Sequence, residues 1–492
     1  MKLEFEYGNG MMSANLPDNT DVFIPGETVK DPDYIPEDKL EEAYLESLHN
    51  PEGNIKPISE IANENSKVTI IFPDIVKGGL QETSHRKISI KLILEELKNA
   101  GVKKENILLI CSNGLHPKNT REEIYSILGK EIFDEFWYTN QIINHDSEDY
   151  DHMVYLGKTK EHGDDVWLNK YVYDSDLAIL IGHSQGNPYG GYSGGYKHCA
   201  TGLNHWTSIA SHHVPQVMHR EDFTPVNNNS LMRHKFDEIG YHMEKAMGHH
   251  FFCCDAVLDT YSRQIEIHSG TAAAVQESCW EMANKRTYIP FAEKKYNVMV
   301  FGLPQDFHYG NGMGTNPIML MQAISAQVVR HKRVMADNCV IIASSKCDGF
   351  FNDMRWPYLR ELYDIYQGNY MQTLPDLNRL GRYFATNEEY IRKYRFANAF
   401  HPFHGFSMIS SAHIAEKNTA AIYIVGAQEP GYARGMGMKT RATFEDALED
   451  AKKIVGDNPN ILALPKTFKL SAVHLMMKDD KYPTTPDYKE FK

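Results

Sequence analysis

The sequence predicts an α/β protein of two domains, each built on a mostly parallel sheet flanked by helices. Three observations carry this expectation. A strand–helix–strand pattern begins at Lys67, the same pattern restarts near Lys294, and the 492 residues exceed what one hydrophobic core usually organises.

Residues 1–65 are rich in Pro, Asn, Asp and Glu and are expected to wrap the outside of the first domain. Lys67 to Phe72 (KVTIIF) is a short apolar run and reads as a buried strand. Lys87 to Ala100 carries Ile88, Leu92 and Leu97 at helical spacing and stops at Gly101. Ile107 to Cys111 (ILLIC) is the next strand, so the pair is parallel and joined by a right-handed crossover. Leu177 to Ile181 (LAILI) has the same character. Ligands of open parallel sheets sit beyond the strands' carboxyl ends. The loops leaving those ends, Pro73–Gly79, Ser112–Asn119 and Gly182–Lys197, bring Asp74, His116 and Lys197 towards one crevice. In the second half, Val298 to Phe301 reads as a strand, Gly302 to Gly314 as a Gly-rich loop, and the stretch through Met319, Gln322 and Ala326 as an apolar helix. Val340–Ala343, Ala421–Val425 and Ile461–Leu464 read as further strands, with Thr443 capping a helix that presents Phe444, Leu448 and Ala451. Residues 1–295 and 296–492 are taken as the two domains, and the cleft between them as the expected ligand site.

Composition narrows the class of function. With 51 basic and 65 acidic residues the net charge is −14, which repels nucleic acid and anionic lipid. Seven scattered cysteines without a CxxC pair indicate neither a zinc ribbon nor a disulfide framework. No apolar stretch reaches the ~18 residues of a membrane span, and the N-terminus lacks a basic start followed by an apolar run. A cytoplasmic protein with reduced thiols is expected.

The most informative segment is His183 to His213, HSQGNPYGGYSGGYKHCATGLNHWTSIASHH. Seven glycines (182, 186, 190, 191, 194, 195 and 202) mark a backbone that another group approaches closely. Lys197 follows the pair Gly194-Gly195 after one residue. An amine held there suits a covalent link to a cofactor or a phosphate contact, and equally a solvated lysine on a surface loop.

On these residues the chain resembles the nickel-pincer-nucleotide-dependent lactate racemase family. That family has a GFSGGRK-type stretch whose lysine carries a pyridinium (pincer) mononucleotide through a thioamide bond, and a nickel-ligating histidine sixteen residues later. Here GYSGGYK spans Gly191 to Lys197, and His213 stands sixteen residues on. Gly114-Leu115-His116 matches a Gly-x-His element, Asp74 to Lys77 matches an Asp-x-x-Arg turn, and Gln322 falls where the family has a substrate-site glutamine. The resemblance implies an active site in the interdomain cleft. It gives Lys197 as tether, His213 as nickel ligand, His116 as base, Asp74, Lys77, Gly194 and Gly195 as cofactor contacts, and Lys77, Asn187 and Gln322 as substrate contacts. It also implies cofactor-biosynthesis enzymes as partners.

Departures from the pattern are informative. The family's first loop histidine is Asn187 here, which accepts no proton at neutral pH. His183, four residues earlier, is either its replacement as a second catalytic base or a packed loop histidine. Lys77 keeps the charge of the family's arginine but loses its fork, and Ser325 stands where a second-domain lysine is expected. His212 is the alternative ligand if the register slips by one. His401 and His404 either face the cleft or pack, whereas His249, His250, Cys253, Cys254 and Trp206 read as structural.

Inversion of a 2-hydroxy acid through removal of the α-hydrogen as hydride requires a cofactor, because no side chain accepts hydride. The expected function is therefore racemisation or epimerisation of a 2-hydroxy acid larger than lactate, such as a sugar acid. The rival readings are a metal-dependent hydrolase or lyase, a pyridoxal-phosphate enzyme using Lys197, and a non-catalytic sugar-acid binding protein.

Overall fold

A computed structural model describes residues 1–78, 85–187, 189–220, 228–306, 309–368, 377–468, 470 and 473–480. Two larger sheets organise the chain. The first runs, in spatial order, Gln264–Thr271, Phe252–Leu258, Leu177–Ser184, Val68–Phe72, Ile107–Cys111 and Ile142–Asn144. All neighbours are parallel except the first pair. Every residue of Val68–Phe72 and Leu177–Ser184 is buried, as expected of central strands covered on both faces. The strand at 177 continues past the apolar run to include Gly182, His183 and Ser184, so the sheet itself carries His183 towards the crevice.

The second sheet runs Lys439–Arg441, Ala421–Val425, Met335–Ser344, Tyr296–Pro304, Lys2–Gly8 and Gly10–Asn15. Ile461–Leu464 also pairs with Tyr296–Pro304. The strands and helices anticipated between Val298 and Leu464 are present, including Phe444–Val455, whose Thr443 hydroxyl accepts from the Asp446 N–H at 3.1 Å.

One expectation is corrected. The first 22 residues do not wrap the first domain. Lys2–Gly8 pairs with Tyr296–Pro304 in parallel and with Gly10–Asn15 in a hairpin, and Asp21–Val22 pairs with Ile461–Leu464. Phe5, Ala14 and Leu16 thereby enter the core of the second sheet beside Val300, Ile342 and Phe444. The polar composition of residues 1–65 concealed this, because only a few side chains of the hairpin are buried and Glu6 is among them.

The two halves meet through specific contacts. The His401 N–H donates to Leu115 O at 2.9 Å, and the Tyr394 hydroxyl donates to Gly114 O at 2.7 Å. His401 Nε2 lies 2.8 Å from Glu148, and the Trp206 ring stacks on His401 at 5.6 Å. His401 and Trp206 are thus packing residues that seat the His116 loop. No helix among the described residues is long and apolar enough to cross a membrane.

Candidate active site

A cavity of about 480 Å³ opens where the carboxyl ends of the first sheet face the helices of the second half. From the first half it is lined by Lys77, His116, His183, Asn187, Lys197 and His213. From the second half it is lined by Tyr309, Gln322, Gln327, Arg330, His404 and Thr467, among others. Among the described residues its wall contains three cations, Lys77, Lys197 and Arg330, and no Asp or Glu. Such a wall attracts anions although the molecule as a whole is acidic.

Asp74 follows the strand Val68–Phe72 and is fully buried behind the wall. Its Oδ1 accepts from the Lys77 N–H at 3.0 Å, and its Oδ2 lies 3.0 Å from His116 Nδ1. Burial alone would raise this carboxyl, but His116 and Lys77 outweigh it and hold the group at about 2. An ionised carboxylate only accepts, so His116 carries its proton on Nδ1 and leaves the Nε2 lone pair available. Burial lowers the His116 pKa, with Asp74 opposing. The ring is further fixed by stacking on His404 at 5.2 Å and an edge contact with Phe400. Lys77 Nζ donates to Ser112 O at 3.0 Å and sits 3.9 Å from Asp74 Oδ2.

Lys197 lies in the first turn of Gly195–Gly202. The glycine pair before it has a reason beyond ligand approach. Gly194 and Gly195 adopt φ of +80° and +50°, and a Cβ would meet Asp255 Oδ2 at 2.2 Å or Gln276 Oε1 at 2.6 Å. The Gly195 N–H donates to that Asp255 oxygen at 2.9 Å. Asp255, buried and raised to about 6 by burial, is the hub on which the helix start is set, and the motif gave no sign of it. Lys197 Nζ has no hydrogen bond or ion pair among the described residues and lies 5.8 Å from the Phe236 ring centre. Burial, then the charges of Lys77 and Arg233, lower its pKa to about 7.

His213 Nδ1 lies 3.0 Å from Ile209 O, which makes Nδ1 the protonated nitrogen and leaves Nε2 as an electron-pair donor. Its pKa falls to about 4 through burial and then the neighbouring cations. His212 is fully buried against Phe236 and does not line the cavity, so the adjacent register is disfavoured. Among the described residues no group of three or more His, Cys, Asp or Glu gathers to hold a metal ion unaided.

His183 lines the cavity, but its surroundings differ from those of His116. Burial, then His85, Arg86 and Lys197, push it down to about 3, with no carboxylate beside it. Asn187 also lines the cavity, yet its Oδ1 is occupied by the N–H groups of Tyr189 and Gly190 at 3.0 and 2.9 Å. Its side chain shapes the loop. Gln322 is buried on the helix Pro317–His331, with Oε1 unpartnered at the cavity. Ser325 points elsewhere: its Oγ donates to Ala412 O and accepts from Ala415 N, joining two helices. Sequence reasoning missed Arg330, the one residue of Pro317–His331 that is not buried. The available signal was a charged residue eight positions after Gln322 on an otherwise apolar helix.

Residues 7–224 match the model of the lactate racemase N-terminal domain. The lactate racemase of Thermoanaerobacterium thermosaccharolyticum is 24% identical over 216 residues, 44% of this chain and 47% of that protein. The lactate racemase of Lactiplantibacillus plantarum is 28% identical over 173 residues, 35% of this chain and 38% of that protein. The aligned segments thus span less than half of these relatives. The lactate racemase apoprotein structure from T. thermosaccharolyticum superposes with a TM-score of 0.70 at 17% identity, covering 96% of this chain and 100% of that one. A Thermotoga maritima protein superposes with a TM-score of 0.52 at 13% identity, covering 91% and 100%. Residues 7–224 are thus similar to a lactate racemase N-terminal domain, and the chain shares the fold of a lactate racemase apoprotein.

Proposed function

We propose that the protein is an isomerase, a racemase or epimerase that inverts a 2-hydroxy acid larger than lactate. The observation that carries this is the Lys197 amine, unpaired among the described residues, lowered to about 7, and sharing one cavity with the His213 imidazole. These residues fit a lysine-tethered nickel-pincer mononucleotide. An amine with a substantial unprotonated fraction at neutral pH is a competent nucleophile for a thioamide link. His213 offers a single imidazole nitrogen, which suits a metal whose other donors come from an organic ligand. When bound, such a group supplies the reversible hydride acceptor that side chains cannot provide.

The chain's own residues supply the rest. His116 Nε2 accepts the proton of the substrate hydroxyl, and Asp74 orients the ring and stabilises the imidazolium that results. Lys77 and Gln322 contact the substrate from opposite walls. Asn187 holds the loop that shapes the pocket. His183 serves as the second base. Its low proton affinity includes a contribution from the Lys197 charge, which disappears once that amine is acylated, so proton acceptance becomes easier in the loaded protein. The substrate exceeds lactate because the fork of an arginine is absent at Lys77 and no cation stands at Ser325.

The test is intact-mass and peptide mapping of the full chain made together with cofactor-biosynthesis enzymes, beside a nickel assay. The expected result is a mass increment on the peptide containing Lys197, one nickel per chain, and inversion of a sugar acid faster than of lactate. A bare Lys197 in protein that nevertheless turns over would refute the tether, and faster turnover of lactate would refute the larger substrate.

A further inference from the structure

Of the three cations at the cavity wall, two are accounted for. Lys77 is engaged by Asp74 and Ser112 O, and Lys197 loses its charge in the proposed tether. Arg330 is different. It has no ion pair among the described residues, and its Nε is buried without a hydrogen-bond partner. The groups that act on it electrostatically include another arginine, Arg286, and the phenols of Tyr189 and Tyr309, which burial keeps neutral. Burial lowers its pKa, but only to about 10, so the guanidinium stays charged at neutral pH. A partly buried, unpaired guanidinium beside open space calls for an anion, and its planar fork suits a carboxylate.

Two further atoms on the same helix share this condition. Among the described residues Gln322 Oε1 and Gln327 Nε2 are buried without partners, while Gln327 Oε1 accepts from the Thr467 hydroxyl at 3.3 Å. Both side chains line the cavity. Buried amide atoms are completed by ligand or water, and hydroxyl groups match both, since a hydroxyl donates to Oε1 and accepts from Nε2.

We infer that Arg330 is the carboxylate anchor of the substrate, standing in for the cation absent at Ser325, and that Gln322 and Gln327 read hydroxyl groups along a polyhydroxy acid. This rests on the proposed inversion reaction for its context, but not for its test.

The experiment is calorimetric titration of the cofactor-loaded full chain with gluconate, lactate and the uncharged sorbitol, with loading checked by intact mass. Gluconate is expected to bind roughly tenfold more tightly than lactate, and sorbitol to show no binding. Arg330→Met should weaken gluconate by roughly thirtyfold with melting and loading unchanged, and Arg330→Lys should fall between. Gln327→Leu should bring gluconate down to the lactate level and leave lactate itself unchanged. Equal gluconate affinity in Arg330→Met, or sorbitol binding as well as gluconate, would overturn the assignment, as would a wild type that binds neither acid. Gluconate binding that depends on Arg330 in a protein that inverts no hydroxy acid would keep the anchor and discard the reaction. Inversion with an unchanged KM in Arg330→Met would do the reverse.

Discussion

The two walls of the cavity satisfy their polar groups in opposite ways. On the first, Asp74 binds His116, Lys77 binds Ser112 O, Asn187 binds its own loop and His213 binds Ile209 O. Each pairing fixes a side chain. For the two imidazoles it also leaves Nε2 as the lone-pair nitrogen, which is what chemistry at a defined atom requires. On the second wall Gln322 Oε1, Gln327 Nε2 and the Arg330 Nε lack partners among the described residues. Those groups are complete only when something occupies the cavity, which is the condition for recognition. Reactivity is prepared in advance on one side, and selectivity is left open on the other.

The largest expected effect comes from removing the Lys197 amine, which is unpaired among the described residues. Lys197→Met should abolish turnover and the mass increment together, whereas Arg330→Met should retain the increment; loss of loading in both would erase the distinction between the walls. Next, His116→Gln should lower kcat by about 10²- to 10⁴-fold with loading intact, as expected for a lost general base. Asp74→Asn tests the pairing itself. The carboxylate raises the proton affinity of His116, so its loss should move the acid limb of the rate profile to lower pH while lowering kcat. An unmoved limb would mean that Asp74 does not act through His116. On the second wall, Gln322→Leu should raise KM roughly tenfold with little change in kcat, because it removes binding common to ground and transition states. A kcat effect as large as that of His116→Gln would mean that this wall too takes part in the chemistry.

The smallest effect is on stability. Lys197 has a folded pKa of about 7, below its unfolded value, so the unfolded chain binds more protons between these two values. The cost of burying the amine therefore grows as pH falls from about 10.5 to about 7 and is constant below that. Lys197→Met should melt higher than the parent at pH 7, with the gap closing towards pH 10, as thermal denaturation across that range would show.

Much of the fold was legible because central parallel strands are buried on both faces and read as short apolar runs, as at Ile107–Cys111 and Leu177–Ser184. The N-terminal hairpin was not, because the polar residues Glu4, Glu6 and Ser13 interrupt the apolar signal of Phe5 and Ala14. At the site, strand ends and the loops leaving them brought Asp74, His116 and Lys197 towards one crevice, whereas His213 was indicated only by the family resemblance. What local spacing does not contain is which atom of a side chain is already in use. The inward turn of Ser325 towards Ala412, the seat that Asp255 gives to Gly195 and the partial exposure of Arg330 all depend on groups tens of residues away, or on how a helix is rotated against its neighbours. Residue type and order determined the sheets and the position of Lys197 beyond a strand end, because backbone periodicity and strand ends are local properties. Partnering and orientation were decided by tertiary packing, because a buried polar atom takes whatever donor or acceptor the assembled fold brings within about 3 Å.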